Sequence, residues 1–458
     1  MTQYRGKRIT VMGLGLFGGG LGVTRFLCEQ GAKVHVTDLK DENTLRPSLD
    51  KLSEFDITYR LGSHDAKDFT DCDILVVNPA VPPTSHYIEA ARKAGVELET
   101  ELNLFLKLCR SPVTGITGAN GKSTTTALTH WIVQSSGAKA MLGGNIGRSL
   151  LDLVHETGPD VPVILELSSF QLENLRWLGK SPSTSVVTNI IPNHLDRHGT
   201  MAAYTDAKAA ILDYQNSQDV AILNADDEVA SSLDERVNGR LWQFSRTHEP
   251  EDGAFVREGE FVVRIDGKTE HICSTSEMNL AGSHNVENAL AAMLAARSAL
   301  GDRWDRDRCA EALATFECLE HRLEFVRTHR GVKYYNDSIA TNPASVEVAL
   351  KSMAAPKILI AGGYDKKLPF DQLAQAVCTE NVSAVILIGQ TRDVISESLE
   401  AAFEEHDTRV DVFCEESLEQ AVERAAQTAR WGELVLLSPG CASYGMFTNF
   451  EERGKLFK

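Results

Sequence analysis

The chain has 458 residues, of which 43% are hydrophobic and 24% are charged, as in an ordinary globular protein. At roughly 150 residues per domain, this length predicts about three domains. The net charge of −18 disfavours nucleic acids and anionic membranes as partners, because so acidic a surface repels phosphate backbones and lipid headgroups.

The nine cysteines are scattered, without the spacing of a zinc site or of a disulfide framework. The first residues lead directly into an apolar strand rather than a signal-peptide core. No run approaches the ~18 apolar residues of a membrane span. We therefore expect a cytoplasmic protein with reduced thiols, and three self-contained domains favour a monomer.

The first predicted strand, Arg8–Met12, leads into a glycine motif formed by Gly13, Gly15 and Gly18, and Asp38 ends the second strand. This spacing matches the dinucleotide-binding fingerprint and favours an NAD or FAD site. A tight strand-to-helix turn that holds another anion, such as a UDP group, explains the pattern equally well. The motif alone leaves the ligand open.

The second predicted strand, 112–117, leads into a longer glycine loop, Gly115 to Ser123, and then a helix. The helix has apolar residues at Ala127, Leu128, Trp131 and Ile132 and is predicted to end at Gly137. In such loops backbone N–H groups surround phosphates, a lysine meets the β- and γ-oxygens, and the next hydroxyl binds Mg²⁺. Lys122 and Ser123 occupy those positions, so the loop predicts ATP or GTP binding.

Polar residues follow the next two buried strands. Glu166 ends the strand at 163–166, with Ser168 just after it, and His194 lies just past the strand at 186–190. In open α/β sheets the ligand lies beyond the carboxyl ends of the strands. Glu166 and His194 are therefore candidate Mg²⁺ ligands, one through oxygen and the other through nitrogen.

Lys208 falls within the apolar stripe of a predicted helix that Thr200 caps, among Tyr204, Ala207, Ile211, Leu212 and Tyr214. One interpretation is that its stem lies along the apolar face while its amine reaches water. The other is that burial lowers its pKa, so that a neutral amine can take up CO₂ as a carbamate and help to hold Mg²⁺.

The third region begins with a strand at 332–335, and further strands follow at 357–361, 384–388 and 434–437. Helices are predicted between them at 394–405 and 418–430. Strands that alternate with helices predict an α/β fold in which each domain is a mainly parallel sheet flanked by helices. We place the domains at 1–110, 111–318 and 319–458, with a short antiparallel excursion at 238–282.

Several segments in this order resemble the Mur ligase family over nearly the whole chain. They are Gly118–Ser123, Gly143–Gly147, Leu165–Gln171, His284–Asn285, His321–Arg322, Asn336–Ser338, Gly362–Lys366, and the tail from Leu437 to Glu451. The resemblance implies a Rossmann-like UDP-binding domain, a P-loop-type ATPase domain and a Rossmann-like C-terminal domain that binds an amino acid. It implies an ATP-dependent ligase that adds glutamate to UDP-N-acetylmuramoyl-L-alanine in peptidoglycan synthesis.

The resemblance also implies a role for individual residues. The UDP substrate would contact Leu14, Gly15, Leu16, Phe17, Gly18, Asp38, Asn78, Pro79, Asn145 and Ser168. ATP would contact Gly118, Asn120, Gly121, Lys122, Ser123, Thr124 and Asn288, with Arg322 and Asp337 joining from the C-terminal domain on closure. Ser123, Glu166, His194 and carbamylated Lys208 would hold Mg²⁺, and Thr341, Lys366, Ser443 and Phe450 would frame glutamate. Lys122, His194 and Lys208 would be catalytic.

Two positions depart from the family pattern. Ile339 stands where the family usually has a lysine, and Gly445 stands where the branch often has a polar or acidic residue. Both bear on the choice of amino acid, so D-glutamate is the first expectation and L-glutamate or another amino acid the alternative.

Three rival functions follow from the same residues. A folylpolyglutamate-type synthetase would share the phosphate loop but does not account for a UDP domain. An NAD-dependent oxidoreductase would use the Gly13–Gly18 motif but leaves Glu166, His194 and Lys208 unexplained. A nucleotide-binding switch without chemistry would hydrolyse ATP regardless of any acceptor.

Overall fold

A computed structural model describes residues 3–15, 19–145, 149–280, 282–317, 320–365 and 368–458. The chain divides into two compact units. One consists of Met1–Asn279 and Asn285–Phe316, and the other of Leu280–His284 and Glu317–Lys458. No helix in the described ranges is long and apolar enough to cross a membrane.

The first unit begins with a five-stranded parallel sheet in the order β3-β2-β1-β4-β5. Its strands are β1 (Arg8–Met12), β2 (Lys33–Asp38), β3 (Ile57–Leu61), β4 (Ile74–Val77) and β5 (Glu97–Glu99). Its helices are α1 (Gly19–Glu29), α2 (Glu42–Leu49), α3 (Ala66–Thr70), α4 (His86–Lys93) and α5 (Glu101–Leu108).

The same unit contains a nine-stranded sheet in the order β14-β13-β12-β11-β10-β9-β6-β8-β7. Its strands are β6 (Val113–Thr117), β7 (Met141–Gly144), β8 (Val163–Glu166), β9 (Thr184–Val187), β10 (Val220–Asn224), β11 (Arg240–Ser245), β12 (Gly253–Arg257), β13 (Glu260–Ile265) and β14 (Lys268–Ser274). Its helices are α6 (Lys122–Ser135), α7 (Leu150–Leu153), α8 (Ser169–Leu172), α9 (Leu175–Leu178), α10 (Leu195–His198), α11 (Met201–Ala209), α12 (Glu228–Ser231), α13 (Ser283–Leu300) and α14 (Arg306–Thr315).

The second unit contains a six-stranded sheet in the order β15-β16-β20-β17-β18-β19, parallel except for the β15–β16 pair. Its strands are β15 (Glu324–His329), β16 (Val332–Asn336), β17 (Lys357–Gly363), β18 (Val382–Gly389), β19 (Asp411–Cys414) and β20 (Leu434–Leu437). Its helices are α15 (Pro343–Lys351), α16 (Asp371–Thr379), α17 (Arg392–His406), α18 (Leu418–Thr428) and α19 (Phe450–Phe457).

These sheets confirm the predicted α/β class. The excursion at 238–282 is antiparallel only from β12 to β14, because β11 and β12 extend the parallel part of the nine-stranded sheet. Trp131 is 38% exposed and does not belong to the buried face of α6. Ile211 and Leu212 are buried but lie beyond the end of α11. The domain boundaries after 110 and 318 stay predictions.

The first two sheets share one apolar core. Ile9 and Val11 of β1 and Phe105 of α5 belong to the same buried cluster as Val163 and Leu165 of β8. Burial of a large aliphatic or aromatic side chain contributes about 1.5–3 kcal/mol. The shared cluster therefore joins the two sheets firmly into one unit.

Candidate functional site

The phosphate loop connects β6 to α6, and the end of β9 fixes its shape. The backbone N–H of Ala119 donates to the Asn189 carbonyl at 2.9 Å, and that of Asn120 donates to Asn189 Oδ1 at 2.8 Å. The Asn120 carbonyl accepts from Thr188 Oγ1 at 2.6 Å and from Asn189 Nδ2 at 3.0 Å. These protein contacts fix the path of the loop, and the loop leads into the N-terminus of α6, the end of a helix that favours anions.

Gly121 caps α6 with φ of +80°, in the left-handed region that favours glycine. A Cβ at this position would lie 2.2 Å from Asn288 Oδ1. Asn288 also accepts from Thr125 Oγ1 at 3.3 Å and donates to Asn285 Oδ1 at 3.0 Å. The structure therefore brings Asn288 against the phosphate loop, although 163 residues separate it from Thr125.

Glu166 ends β8 and is only 3% exposed. Its Oε1 accepts from Asn145 Nδ2 at 3.2 Å, and its Oε2 is buried without a hydrogen-bond partner among the described residues. Ser168 lies two residues further on and caps α8 through the N–H of Gln171. A buried carboxylate oxygen with no donor suits a cation, because such a group is otherwise costly to bury.

Lys208 is 2% exposed, so the interpretation in which its amine reaches water is wrong. Its Nζ donates to the Gly118 carbonyl at 2.6 Å and lies 4.8 Å from the centre of the Tyr204 ring. Burial lowers the pKa of Lys208 well below its usual value, the charge of Lys122 lowers it further, and Glu166 opposes the shift. The chemistry of a neutral amine is therefore accessible at this position.

His194 lies immediately before α10, with a left-handed φ of +52°, and its ring is 5.0 Å from the Phe170 ring. Within the described ranges, no group of three His, Cys, Asp or Glu side chains is arranged to hold a metal ion. Glu166 and the loop hydroxyl of Ser123 are oxygen donors of the kind that Mg²⁺ prefers. The residues therefore fit Mg²⁺ through Glu166 and Ser123, while a carbamate on Lys208 would add a further oxygen ligand.

A cavity of about 530 Å³ lies at the carboxyl ends of β1, β2 and β4. Its lining includes Gly13, Gly15, Asp38 and Asn78, which were predicted for the UDP substrate, whereas Pro79 is not among the lining residues. His64, His86 and Tyr87 also line it and give it an aromatic wall. The volume and position are those of a typical small-ligand site.

Asp38 is largely engaged within the protein. Its Oδ2 accepts from the backbone N–H of Leu14 at 2.9 Å and of Gly15 at 3.1 Å, and its Oδ1 accepts from that of Lys40 at 2.9 Å. In a dinucleotide site the glycine turn offers backbone N–H groups to the pyrophosphate. Two of those groups donate to Asp38 here, which disfavours the oxidoreductase. Leu16, Phe17 and Gly18 lie outside the described residues.

In the second unit, Asp337 follows β16 and is buried. Its Oδ2 accepts from Ser438 Oγ at 2.7 Å, and its Oδ1 accepts from the backbone N–H of Leu323 at 3.2 Å. Burial raises the pKa of Asp337 to about 7, although the Ser438 hydrogen bond and the charges of Arg322 and Arg453 act in the opposite direction. Arg322 is therefore close enough to Asp337 to act on its charge, and the nucleotide contacts of both residues stay predictions.

The residues expected to frame glutamate are partly described. Ser443 is buried, and the Phe450 carbonyl accepts from Ser338 Oγ at 2.7 Å. Thr341 lies in the loop just before α15. Lys366 lies outside the described residues. Phe450 is therefore tied to the turn after β16, three residues before Thr341.

The fold and the phosphate loop together define an α/β nucleotide-binding protein with a separate small-ligand cavity. Residues 7–99 match the Mur ligase MurD-like N-terminal domain, 116–296 the Mur ligase middle domain, and 321–441 the glutamate ligase domain of Mur ligases. The chain belongs to the Mur ligase family.

Individual relatives are similar to this chain over nearly the full length of both chains. The UDP-N-acetylmuramoylalanine–D-glutamate ligases of Roseiflexus sp. (strain RS-1) and Geobacter metallireducens are each 42% identical, covering 100% of this chain and 98% and 97% of theirs. The crystal structure of UDP-N-acetylmuramate-alanine ligase from Thermotoga maritima has a TM-score of 0.61 at 21% identity, over 98% of both chains. This last likeness concerns the fold alone.

Some residues of the site were not predicted from the sequence. Thr188 and Asn189 end an apolar run, and a polar pair at a strand end is a usable signal for a contact with the phosphate loop. The aromatic cavity residues His64 and Tyr87 and the guanidinium of Arg197 gave no signal, because their partners lie far away in sequence.

We predict that Gly121→Ala weakens ATP binding by on the order of tenfold or more, because the methyl group both strains a left-handed residue and collides with Asn288. Gly137 provides the control, since it ends the same helix with φ of +79° and open space around it. Gly137→Ala should cost about 1 kcal/mol of stability and leave ATP affinity unchanged. Calorimetric titration with ATP and urea unfolding measure both effects, and equal ATP affinities would contradict the prediction.

We also predict that Asp337 makes the second unit less stable as pH rises from about 4 to about 7. A carboxyl whose folded pKa is raised stabilises the fold below its unfolded pKa and loses that contribution as pH rises through the folded value. Asp337→Asn stays neutral and should flatten the profile, whereas the exposed Asp407→Asn should not. Hydrogen exchange of the β16 and β20 amides at several pH values tests this, and an unchanged profile in Asp337→Asn refutes it.

Proposed function

We propose that this chain is an ATP-dependent ligase that adds D-glutamate to UDP-N-acetylmuramoyl-L-alanine in peptidoglycan precursor synthesis. The main support is the full-length similarity to relatives that bear this activity in their names, at 42% identity. The ligase class predicted from the sequence agrees with the family to which the chain belongs. The reaction places the enzyme in the cytoplasm, where we expect it to act as a monomer.

The chemistry requires activation of a carboxylate, because its oxygen is a poor leaving group at neutral pH. The substrate carboxylate attacks the γ-phosphorus of ATP, ADP leaves, and an acyl phosphate forms. The amine of glutamate then attacks the acyl carbon and loses a proton, and the tetrahedral intermediate expels phosphate. The chain's own part is to orient these groups and to exclude water.

The phosphate loop supplies the positive end of this arrangement. Lys122 lies at the start of α6, where its Nζ donates to the Ala119 carbonyl at 2.8 Å, and the helix N-terminus adds a partial positive charge. Mg²⁺, held by Ser123, Glu166, His194 and carbamylated Lys208, would neutralise the meeting phosphate and carboxylate charges. Asn288 packs against the same loop, and we assign Arg322 and Asp337 of the second unit to the nucleotide.

The cavity of the five-stranded sheet is the proposed site of the UDP group. Its aromatic residues His64 and Tyr87 offer a face for a base, and the N-terminal turn at Gly13 and Gly15 lies at its edge. Asn145 and Ser168 flank Glu166 in the same unit and would receive the muramoyl part. Thr341, Lys366, Ser443 and Phe450 are assigned to glutamate.

With UDP-N-acetylmuramoyl-L-alanine, Mg²⁺ and ATP present, we expect ADP release only when D-glutamate is added. L-glutamate and a reaction without amino acid serve as the controls. Turnover with L-glutamate but not with D-glutamate would support the ligase activity and change the expected amino acid, and we would attribute that result to Ile339 or Gly445. ATP hydrolysis that ignores every acceptor would instead indicate a switch, and saturable quenching of NADH fluorescence would revive the oxidoreductase.

We expect Lys208→Ala to lose most of its activity, because the neutral amine is the group that forms the carbamate. Isotopically labelled bicarbonate should give a carbamate resonance in wild-type protein that disappears in Lys208→Ala. Lys357 is a matched control, since it is equally buried and its pKa is also lowered by burial, but it lies in the second unit. Lys357→Ala should retain the resonance. Full activity of Lys208→Ala would exclude a catalytic carbamate.

A further inference from the structure

Helix α10 carries an arginine that binds three consecutive backbone carbonyls of the five-stranded sheet's loop. Arg197 Nη1 donates to the Ala80 carbonyl at 3.0 Å, and Nη2 donates to those of Val81 at 2.9 Å and Pro79 at 3.3 Å. Hydrogen bonds from a charged donor are stronger than neutral ones, and the planar guanidinium serves several acceptors at once. Arg197 therefore fixes the path of this loop.

This loop forms part of the proposed UDP cavity. Ala80 and Val81 line it, and Asn78 at the start of the loop lines it as well. Asn78 donates from Nδ2 to the Gly13 carbonyl at 3.2 Å and accepts at Oδ1 from the Ala80 N–H at 3.0 Å. The wall of the cavity is consequently attached to Arg197 through its backbone.

The guanidinium is also embedded on its other side. Arg197 is only 15% exposed, its carbon Cζ lies 5.0 Å from the centre of the Phe170 ring, and Nη2 approaches Glu173 Oε2 at 3.5 Å. Glu173 in turn contacts His198 Nδ1 at 3.0 Å, and His198 Nε2 lies 3.0 Å from Ser169 Oγ. This chain of contacts runs from the cavity loop to the turn that follows Glu166.

The same helix continues from His194. The backbone N–H groups of Arg197 and His198 both donate to the His194 carbonyl, at 3.1 and 3.0 Å. Phe170 packs against the His194 ring at 5.0 Å and against the His198 ring at 5.5 Å. A shift of Arg197 would therefore displace the backbone that holds His194.

We propose that Arg197 is a positioning residue that couples occupation of the UDP cavity to the placement of His194 at the start of α10. This inference rests on the proposed function, which assigns the cavity to the UDP group and His194 to Mg²⁺. It means that binding energy from the UDP group, far from the reacting carboxylate, is used to order the site where ATP reacts. Arg197 itself touches neither reactant.

The test compares Arg197→Met and Arg197→Lys with Arg264→Met in the full chain. Arg264 is a matched control because its Nη2 donates to the Pro250 carbonyl at 2.8 Å and its guanidinium lies 4.8 Å from the Phe255 ring, on β13 of the nine-stranded sheet. Two readouts are needed. Calorimetric titration with UDP measures the cavity without turnover, and steady-state kinetics separate KM for the UDP substrate from kcat.

We expect Arg197→Met to weaken UDP binding about tenfold, since it removes charge-assisted hydrogen bonds, and to lower kcat at saturating substrate as well. Arg197→Lys should be intermediate, because an ammonium cannot reach three carbonyls in the same geometry. Arg264→Met should change neither value. This pattern supports the coupling.

Other outcomes overturn it. Weaker UDP binding with unchanged kcat would show that Arg197 affects only the cavity and is not coupled to His194. Unchanged values in both readouts would show that Arg197 affects neither site. Equal losses in Arg197→Met and Arg264→Met would indicate general destabilisation. If the wild-type protein binds UDP but shows no turnover, the proposed function is wrong, whereas the role of Arg197 in the cavity can still be tested by UDP binding. If the wild-type protein does not bind UDP, the coupling proposal is wrong because the cavity is not a UDP site.

Discussion

The site depends on the burial of charged groups at one edge of the nine-stranded sheet. Lys208 and Glu166 are almost inaccessible to water, and Lys122 lies close enough to lower the pKa of Lys208. Desolvation disfavours the charge of Lys208, so a further charge that comes close to this buried group acts on it strongly. Phosphates, a divalent cation and a carbamate would each change the net charge around Lys208. The burial that favours the neutral amine is thus the condition on which the proposed carbamate depends.

The sequence predicted the parts of this arrangement that are local. β1, β6 and β20 match their predicted strands within a residue, and the segment from Gly118 to Ser123 leads into α6 as expected, with its last two residues in the helix. The spacing of hydrophobic residues and the glycines at turns indicate these elements, because both signals depend only on residues that are close in sequence. The contacts that shape the loop are long-range. Asn189 follows Asn120 by 69 residues, and a pairing of that kind leaves no periodic trace in a single sequence.

Asp38 shows how a matching motif can mislead about the ligand while correctly predicting the local structure. An acid at the end of β2 does face the glycine turn, as the fingerprint requires. Its oxygens accept from the backbone of Leu14, Gly15 and Lys40, so it stabilises the turn and need not meet a ribose. Spacing predicts that the turn and the acid meet, but the hydrogen-bond partners decide what the pair can bind.

The turn after β16 bears on the loss of the lysine at Ile339. Arg453 is fully buried, and its guanidinium donates to Ser338 Oγ at 3.0 Å, to the Ser338 carbonyl at 2.8 Å and to the Cys441 carbonyl at 3.1 Å. Burial lowers the pKa of Arg453 to about 10, which still leaves it charged near neutral pH. The backbone of this turn is therefore held by a cation from α19 whatever residue stands at 339. Ile339 lacks the charge of the lysine that the family usually has, so its effect should fall on the ligand and not on the fold.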